Sequence, residues 1–157
     1  MLPISKILCP SDFSEPSLAA LETAAELAGH FGSQLTVLHV VSPVPPVPSG
    51  HVLGPFDVDA YECQLLEDSR STLSKMVRRR LGDIKAKIRT EAKIRIESGD
   101  AAMCIVATAT DEQAGLIVIA TQGQTGWRRL MFGSVAEKVV RLAACPVLTI
   151  RAPLSKE

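Results

Sequence analysis

One apolar run and the glycine-rich segment behind it constrain this chain more than any other feature. The run Leu116–Ala120 is wholly apolar, glycines follow at Gly123, Gly126 and Gly133, and an amphipathic stretch extends from Val135 to Leu142. These patterns predict a strand buried on both faces, a loop and then a helix. Such turns bind phosphates in α/β proteins, because free backbone N–H groups and the positive helix N-terminus face the same space. We therefore treat this loop as the candidate functional segment.

Strand and helix patterns alternate along the rest of the chain. The predicted strands are Ile4–Cys9, Leu35–Val40, Ala92–Ser98 (a half-exposed or edge strand, from its alternating charges), Leu116–Ala120 and Pro146–Arg151. The predicted helices are one capped by Ser14 and ending near Gly29 to Gly32, one from about Asp57 to Leu81 stopped by Gly82, one capped by Asp100, and one carrying Val135, Val139 and Leu142. This alternation implies a parallel sheet with helices on both faces, joined by right-handed crossovers. The fold class is α/β: a single domain over residues 1–157, with three layers, a five-stranded parallel sheet and about four helices.

A proline-rich segment separates the second strand from the long helix. Prolines stand at Pro43, Pro45, Pro46, Pro48 and Pro55. Because proline fixes φ and lacks an N–H, neither a helix nor a central strand tolerates that density. We expect a mobile connecting loop over about residues 42–56.

Composition excludes several classes of protein. Lys+Arg and Asp+Glu number 17 each, so no net charge favours nucleic acid or an anionic membrane as partner. No apolar run approaches the roughly 18 residues of a membrane span, and the first residues lack the apolar core of a signal peptide. We therefore expect a cytoplasmic protein. The cysteines are scattered without a C-x-x-C pair and are predicted to be reduced core thiols: Cys9, Cys63, Cys104 and Cys145.

Three segments are predicted to meet where the strand order of the sheet reverses, with the first and fourth strands as the switch pair. Ligands of parallel α/β sheets bind in that crevice, outside the carboxyl ends of the strands. The segments are Pro10-Ser11-Asp12, His39-Val40-Val41 and the glycine loop. Asp12 can accept hydrogen bonds from ribose hydroxyls or hold a metal through water, and the backbone after His39 can pair with an adenine edge. Gly123 and Gly133 let the backbone approach phosphates, and Ser134 adds a hydroxyl.

Structural interpretations compete with these functional ones. Asp12 is also a common helix cap, and Ser134 with Glu137 three residues on forms a capping box. His39 inside a strand is also explained, without any catalytic role, as a core or edge histidine whose hydrogen bonds are satisfied within the fold. No G-x-x-x-x-G-K-[ST], G-x-G-x-x-G or G-x-S-x-G motif is present, and no Ser-His-Asp set or carboxylate pair stands out. The sequence thus predicts a binding site without evident catalytic machinery.

The chain resembles the universal stress proteins of the UspA superfamily over nearly its full length. The matching segments are Ile7–Ser14, Leu38–Val41, Gly99-Asp100, Gly133–Val140 and Cys145–Leu148. The ATP-binding branch of that family carries G-x2-G-x9-G-[ST]. The second glycine of this motif corresponds to Gly123 and its end to Gly133-Ser134, whereas Ala120 replaces the first glycine. The resemblance implies an adenine-nucleotide α-hydrolase-like, Rossmann-like fold.

The resemblance also implies roles for individual residues. Asp12 and the Ala120 backbone would contact ribose, Val40 the adenine, and Gly123, Gly133 and Ser134 the phosphates. The candidate nucleotide-binding residues are Pro10, Ser11, Asp12, Val40, Ala120, Gly123, Gly133, Ser134 and Val135. An alanine at position 120 weakens binding if a positive φ or very close contact is needed there, and costs little if the residue only ends the strand.

Three functions follow as hypotheses. The first is a stress-response module that senses ATP, with or without Mg²⁺, or another adenine nucleotide and signals to a regulatory protein partner. The second is an interaction protein that needs no nucleotide, and the third is a slow ATPase. Family members associate as homodimers through the fifth strand, here about residues 146–151, which would otherwise be an exposed apolar edge.

Overall fold

The structure is a computed structural model that describes residues 4–43, 58–85, 92–121 and 133–151. Strands and helices alternate along these residues, as the sequence predicts. In chain order the elements are β1 Lys6–Pro10, α1 Glu15–Phe31, β2 Gln34–Val41, α2 Val58–Lys85, β3 Ala92–Ser98, α3 Ala101–Asp111, β4 Leu116–Ala120, α4 Ser134–Leu142 and β5 Val147–Ile150. Within this described part, no helix is long and apolar enough to cross a membrane.

The strands form one parallel sheet in the order β3-β2-β1-β4-β5. Strand β1 lies at its centre, where Ile7 pairs with Leu35 of β2 on one side and with Leu116 of β4 on the other. The chain moves outward from β1 to β3 and then returns to the centre at β4. The predicted switch between the first and fourth strands is therefore confirmed, and so is the edge position of β3.

Two apolar clusters cover the two faces of the sheet and make the three layers. One cluster joins α1 and α2 to side chains such as Ile7 and Val118. The other joins α3 and α4 to Leu8 and Ile117. Adjacent residues of a strand point to opposite faces, so one wholly apolar strand serves both clusters. The predicted fold class is confirmed.

Helix α1 begins and ends where its sequence signals predict. The Ser14 side chain accepts a hydrogen bond from the backbone N–H of Ser17, and Pro16 occupies the first turn. At the other end, Gly32 adopts φ +66°, a left-handed conformation that glycine accepts without steric cost. Local chemistry alone therefore determines both boundaries of this helix.

The prediction that Gly82 ends helix α2 is wrong, because the helix continues to Lys85. Its buried side chains, Leu73, Val77 and Leu81, recur at helical spacing and pack into the α1/α2 cluster. A glycine inside a helix costs only about 1 kcal/mol relative to alanine, which such packing outweighs. The proline-rich segment before α2 lies outside the described residues, apart from its first two positions.

The cysteines are all free thiols, as predicted, but only one lies in the core. Cys9 is fully buried in β1, and burial raises the pKa of its thiol to about 12. Cys104 and Cys145 are half-buried. Cys63 is exposed, so the expectation of a core thiol there is wrong; it lies in the first two turns of α2, whereas the buried residues of this helix begin at Leu73.

Candidate functional site

A cavity of about 450 Å³ opens at the carboxyl ends of the strands around the switch point. Its size lies within the range of about 300–1,000 Å³ that small-molecule sites occupy. Its walls include every sequence-predicted site residue within the described ranges: Pro10, Ser11, Asp12, Val40, Ala120, Gly133, Ser134 and Val135. Gly123 lies outside the described residues. The fold thus brings together positions that are more than a hundred residues apart in the chain.

The cavity crosses the end of the sheet and has walls from both helical layers. On the α3/α4 side it is apolar, lined by Val40, Ile105 and Ile119. On the α1/α2 side it is more polar, with His39, Ser17 and Ser69 among its lining residues. Among the described lining residues, Asp12 and His39 are the only ionisable ones, so no lysine or arginine of this part of the chain faces a bound anion.

Free backbone donors stand at the start of α4. The N–H groups of Ser134, Val135 and Ala136 belong to the first helical turn and have no hydrogen-bond partner among the described residues. All three residues line the cavity. Because the helix dipole places positive charge at the same point, this turn is suited to an anion.

The capping box predicted from Ser134 and Glu137 is wrong. Gly133 is the cap residue, with extended backbone at φ −73° and ψ 152°, and no side chain caps the helix. The Gly133 N–H is already used, since it donates to the Thr121 carbonyl at 2.6 Å. Ser134 is therefore the first helical residue, one position later than a cap, and its hydroxyl is not committed to capping.

Asp12 supports the cap of α1 without being that cap. One carboxylate oxygen, Oδ1, accepts hydrogen bonds from the Ser14 backbone N–H at 3.1 Å and from the Ser14 hydroxyl at 2.5 Å. The cap residue itself is Ser14. The structural and functional interpretations of Asp12 are thus compatible, because the same half-buried side chain orients the turn and lines the cavity.

His39 is held by the turn that follows β1. Its Nδ1 lies 2.8 Å from the Ser11 carbonyl oxygen, which only accepts, so Nδ1 carries the proton. The ring of Phe13 packs against the imidazole, with centroids 4.2 Å apart, and Phe13 adopts φ +66° to place it there. The interpretation of His39 as satisfied within the fold explains this nitrogen, while the residue still lines the cavity.

The Ser11 hydroxyl is fully used inside the protein. It accepts a hydrogen bond from the Phe13 N–H at 3.3 Å and pairs with the Ser17 hydroxyl at 3.0 Å. Ser17 in turn donates to the Ser14 carbonyl. Both serines are buried. Ser11 therefore shapes the cavity wall through its backbone and leaves no hydroxyl proton for a ligand.

Several lining residues escaped the sequence analysis. Ala101 and Ile105 of α3, and Leu65 and Ser69 of α2, carry no motif and are brought to the cavity by packing alone. Thr121 also lines it, and its buried hydroxyl has no hydrogen-bond partner within the described residues. A hydroxyl directly after a central strand was the available signal for Thr121.

The described ranges contain no group of three or more His, Cys, Asp or Glu side chains that is placed to hold a metal ion.

The parallel sheet with its cavity at the switch point defines a doubly wound α/β protein. The model of the Universal stress protein family matches residues 3–151, so the chain belongs to that family. The family resemblance expected from the sequence is confirmed.

Individual relatives agree with this assignment over most of their length. Universal stress protein MJ0531 of Methanocaldococcus jannaschii is 34% identical over 148 residues, covering 94% of this chain and 82% of the relative. Among solved structures, UspA from Lactobacillus plantarum is 26% identical, with a TM-score of 0.74 and coverage of 96% of this chain and all of that one. A universal stress protein from Archaeoglobus fulgidus, solved in complex with dAMP, shares the fold at a TM-score of 0.54 and 24% identity, covering 96% of this chain and 99% of its own.

Proposed function

We propose that this universal stress protein binds an adenine nucleotide in the cavity at the switch point and acts as a sensing module rather than as a fast enzyme. The observation that carries the proposal is the set of N–H groups of Ser134, Val135 and Ala136, which have no partner among the described residues. These three residues line the same cavity as the apolar side chain of Val40. One end of the cavity thus suits phosphate and the other suits a flat apolar ring.

The backbone of β2 supports the adenine end. The Ser11 N–H donates to the Leu38 carbonyl at 2.8 Å, and β1 has no residue paired beyond that point, while β2 continues to Val41. Backbone groups of a strand alternate in direction, so the N–H and C=O of Val40 point the same way as those of Leu38. Val40 therefore presents one donor and one acceptor toward the cavity, the pair that an adenine edge requires.

The Ala120 substitution is compatible with binding. Ala120 ends β4 in regular strand conformation and belongs to the α1/α2 cluster. It is not among the residues with positive φ. Its side chain belongs to the α1/α2 cluster, and the residue also lines the cavity. The structure of the Archaeoglobus relative with dAMP supports an adenine nucleoside monophosphate as one ligand for such a crevice.

The test begins with the nucleotide content of freshly purified protein, measured by acid release and chromatography. Titrations with ATP, with and without Mg²⁺, and with AMP follow in a calorimeter. We expect near-stoichiometric bound nucleotide or an affinity on the order of micromolar, about −8 kcal/mol. A protein that is empty and ignores millimolar nucleotide would favour the alternative function, a nucleotide-independent interaction protein.

A pair of tyrosine variants locates the site. Ser134→Tyr fills the space in front of the free N–H groups and is expected to abolish nucleotide binding, because Ser134 lines the cavity. Arg141→Tyr adds the same side chain to the exposed last turn of the same helix and serves as the control. Both should melt cooperatively near the wild-type temperature. Equal affinity in both variants would place the nucleotide elsewhere.

We further propose association of two copies through β5. This strand lies at one edge of the sheet, and its Leu148 is 37% exposed. An apolar edge invites pairing with another strand. Wild-type protein should sediment as a dimer at micromolar concentration, whereas Leu148→Lys should shift it toward monomer. A wild-type monomer under those conditions contradicts this assembly.

A further inference from the structure

We infer that the hydroxyl of Thr121 is a ligand donor that completes the phosphate site at the start of α4. The inference rests on the proposed function and adds a residue to it. Neither the glycine motif nor the capping pattern points to Thr121; the structure does, through a buried hydroxyl beside free backbone donors.

The hydroxyl of Thr121 is an exception within the described residues. The residue is only 6% exposed, yet its Oγ1 has no hydrogen-bond partner there. Buried polar groups are nearly always paired, because an unpaired one loses its water without compensation. Such a group contributes favourable free energy only when a ligand atom becomes its hydrogen-bond partner.

The backbone of Thr121 is fixed on both sides. Its N–H donates to the Ile150 carbonyl at 2.9 Å, and its carbonyl accepts the Gly133 N–H at 2.6 Å. The second bond holds Thr121 directly against the first turn of α4. Thr121 is thereby tied to the start of the helix whether or not a ligand is bound.

The side chain of Thr121 lies on the face of the sheet that α4 covers. Ile117 and Ile119 belong to the α3/α4 cluster, and alternation along β4 places Thr121 on the same face. Thr121 also lines the cavity. Rotation by about 120° about its Cα–Cβ bond carries the hydroxyl from one staggered position to another, so the hydroxyl can reorient without movement of the backbone.

The donors that the described residues offer an anion at this position are neutral. The described lining residues include no lysine or arginine, and their contribution to a phosphate site consists of the N–H groups of Ser134 to Ala136 and nearby hydroxyls. Hydrogen bonds to charged groups are the stronger ones. The Thr121 hydroxyl is therefore expected to favour phosphorylated over unphosphorylated adenosine.

The test compares AMP and adenosine on wild type, Thr121→Val and Thr121→Ser. Valine keeps the shape and removes the hydroxyl, while serine keeps the hydroxyl. We expect Thr121→Val to weaken AMP binding about tenfold and to change adenosine binding less than about twofold. Thr121→Ser should restore most of the AMP affinity. In the absence of ligand, Thr121→Val should melt at or above the wild-type temperature, because it removes an unpaired buried hydroxyl.

The outcomes separate the two proposals. Wild type that binds AMP, with Thr121→Val binding it equally well, overturns the role of Thr121 and leaves the proposed function standing. An equal loss of AMP and adenosine affinity in Thr121→Val shows a structural role and overturns the inference too. Wild type that binds neither compound overturns the proposed function, and the inference with it.

Discussion

The imidazole Nδ1 of His39 donates a hydrogen bond of 2.8 Å to the backbone carbonyl of Ser11. This bond joins the end of β2 to the turn after β1, beyond the point where the two strands stop pairing. The Ser11 N–H meanwhile donates to the Leu38 carbonyl. Two hydrogen bonds between β2 and Ser11 thus hold one residue of the turn, so contacts within the protein fix this wall of the cavity.

Replacing His39 should separate the stabilisation by its hydrogen bond to Ser11 from the stabilisation by packing of its ring against Phe13. His39→Leu leaves the carbonyl of the buried Ser11 without this donor and is expected to lower the free energy of unfolding by about 1–3 kcal/mol. His39→Asn places an amide N–H near the position of Nδ1 and should retain much of that stability. Urea denaturation of the three proteins measures the difference. Equal losses in both variants would show that ring packing against Phe13, rather than the hydrogen bond, holds the turn.

Replacement by alanine should change the stability of the protein in opposite directions at two glycines. Gly82 lies within α2, and an added Cβ there meets nothing within 4 Å. Gly82→Ala should stabilise the protein by about 0.5–1 kcal/mol, because alanine is the better helix former. Gly32 has equally open space but φ +66°, so Gly32→Ala should destabilise by about 1–2 kcal/mol. Thermal melts of both variants against wild type test the pair, and a shift of the same sign in both would contradict it.

Glu112 ties the end of α3 to the sheet. Its carboxylate accepts hydrogen bonds from the Thr36 hydroxyl at 2.7 Å and from the Lys93 ammonium at 2.9 Å. Burial acts to raise the pKa of Glu112, but hydrogen bonds from Lys93 and Thr36 and the charge of Lys93 outweigh it, so the pKa lies below its ordinary value of 4.5.

The lowered pKa of Glu112 predicts a specific dependence of stability on pH. A carboxyl group that is more acidic when folded stabilises the protein fully above its unfolded-state pKa, and this contribution is lost as pH falls from 4.5 through the folded-state pKa. Glu112→Gln should therefore be less stable than wild type by about 1–3 kcal/mol at neutral pH, and the gap should close below that window. Denaturation series at several pH values measure it. A gap that stays constant down to pH 2 would exclude the ionised carboxylate as its cause.

Thiol reactivity should follow burial. Cys63 is exposed on α2, whereas Cys9 is buried with its pKa raised to about 12. Since the thiolate is the reactive form, native protein should be labelled first at Cys63 and at Cys9 only after unfolding. Peptide mapping after timed alkylation distinguishes the sites. Rapid labelling of Cys9 in native protein would indicate opening of the central strand.

The order and type of the elements could be predicted from the sequence because they depend on local chemistry. A continuous apolar run marks β4, and alternation of apolar and charged residues marks β3. The side chains of Ser14 and Asp100 cap their helices by accepting hydrogen bonds from the N–H groups three positions on. Gly82 shows where local rules fail. The local rule predicts that a glycine ends the helix, but it leaves out the burial of Leu81 and its neighbours, which stabilises α2 as far as Lys85.

The candidate site divides in the same way. The sequence by itself determined that Asp12 follows β1, that Val40 lies near the end of β2 and that Ser134 begins α4. It also predicted that the three residues meet, since the carboxyl ends of the strands of a parallel sheet lie at one edge. Only the tertiary structure decided what each group is free to do. Gly133 rather than Ser134 caps α4, the hydroxyl of Ser11 pairs with that of Ser17, and the hydroxyl of Thr121 has no partner within the described part of the chain. Those outcomes depend on hydrogen bonds between residues distant in the chain, such as Gly133 with Thr121, and no local pattern encodes them.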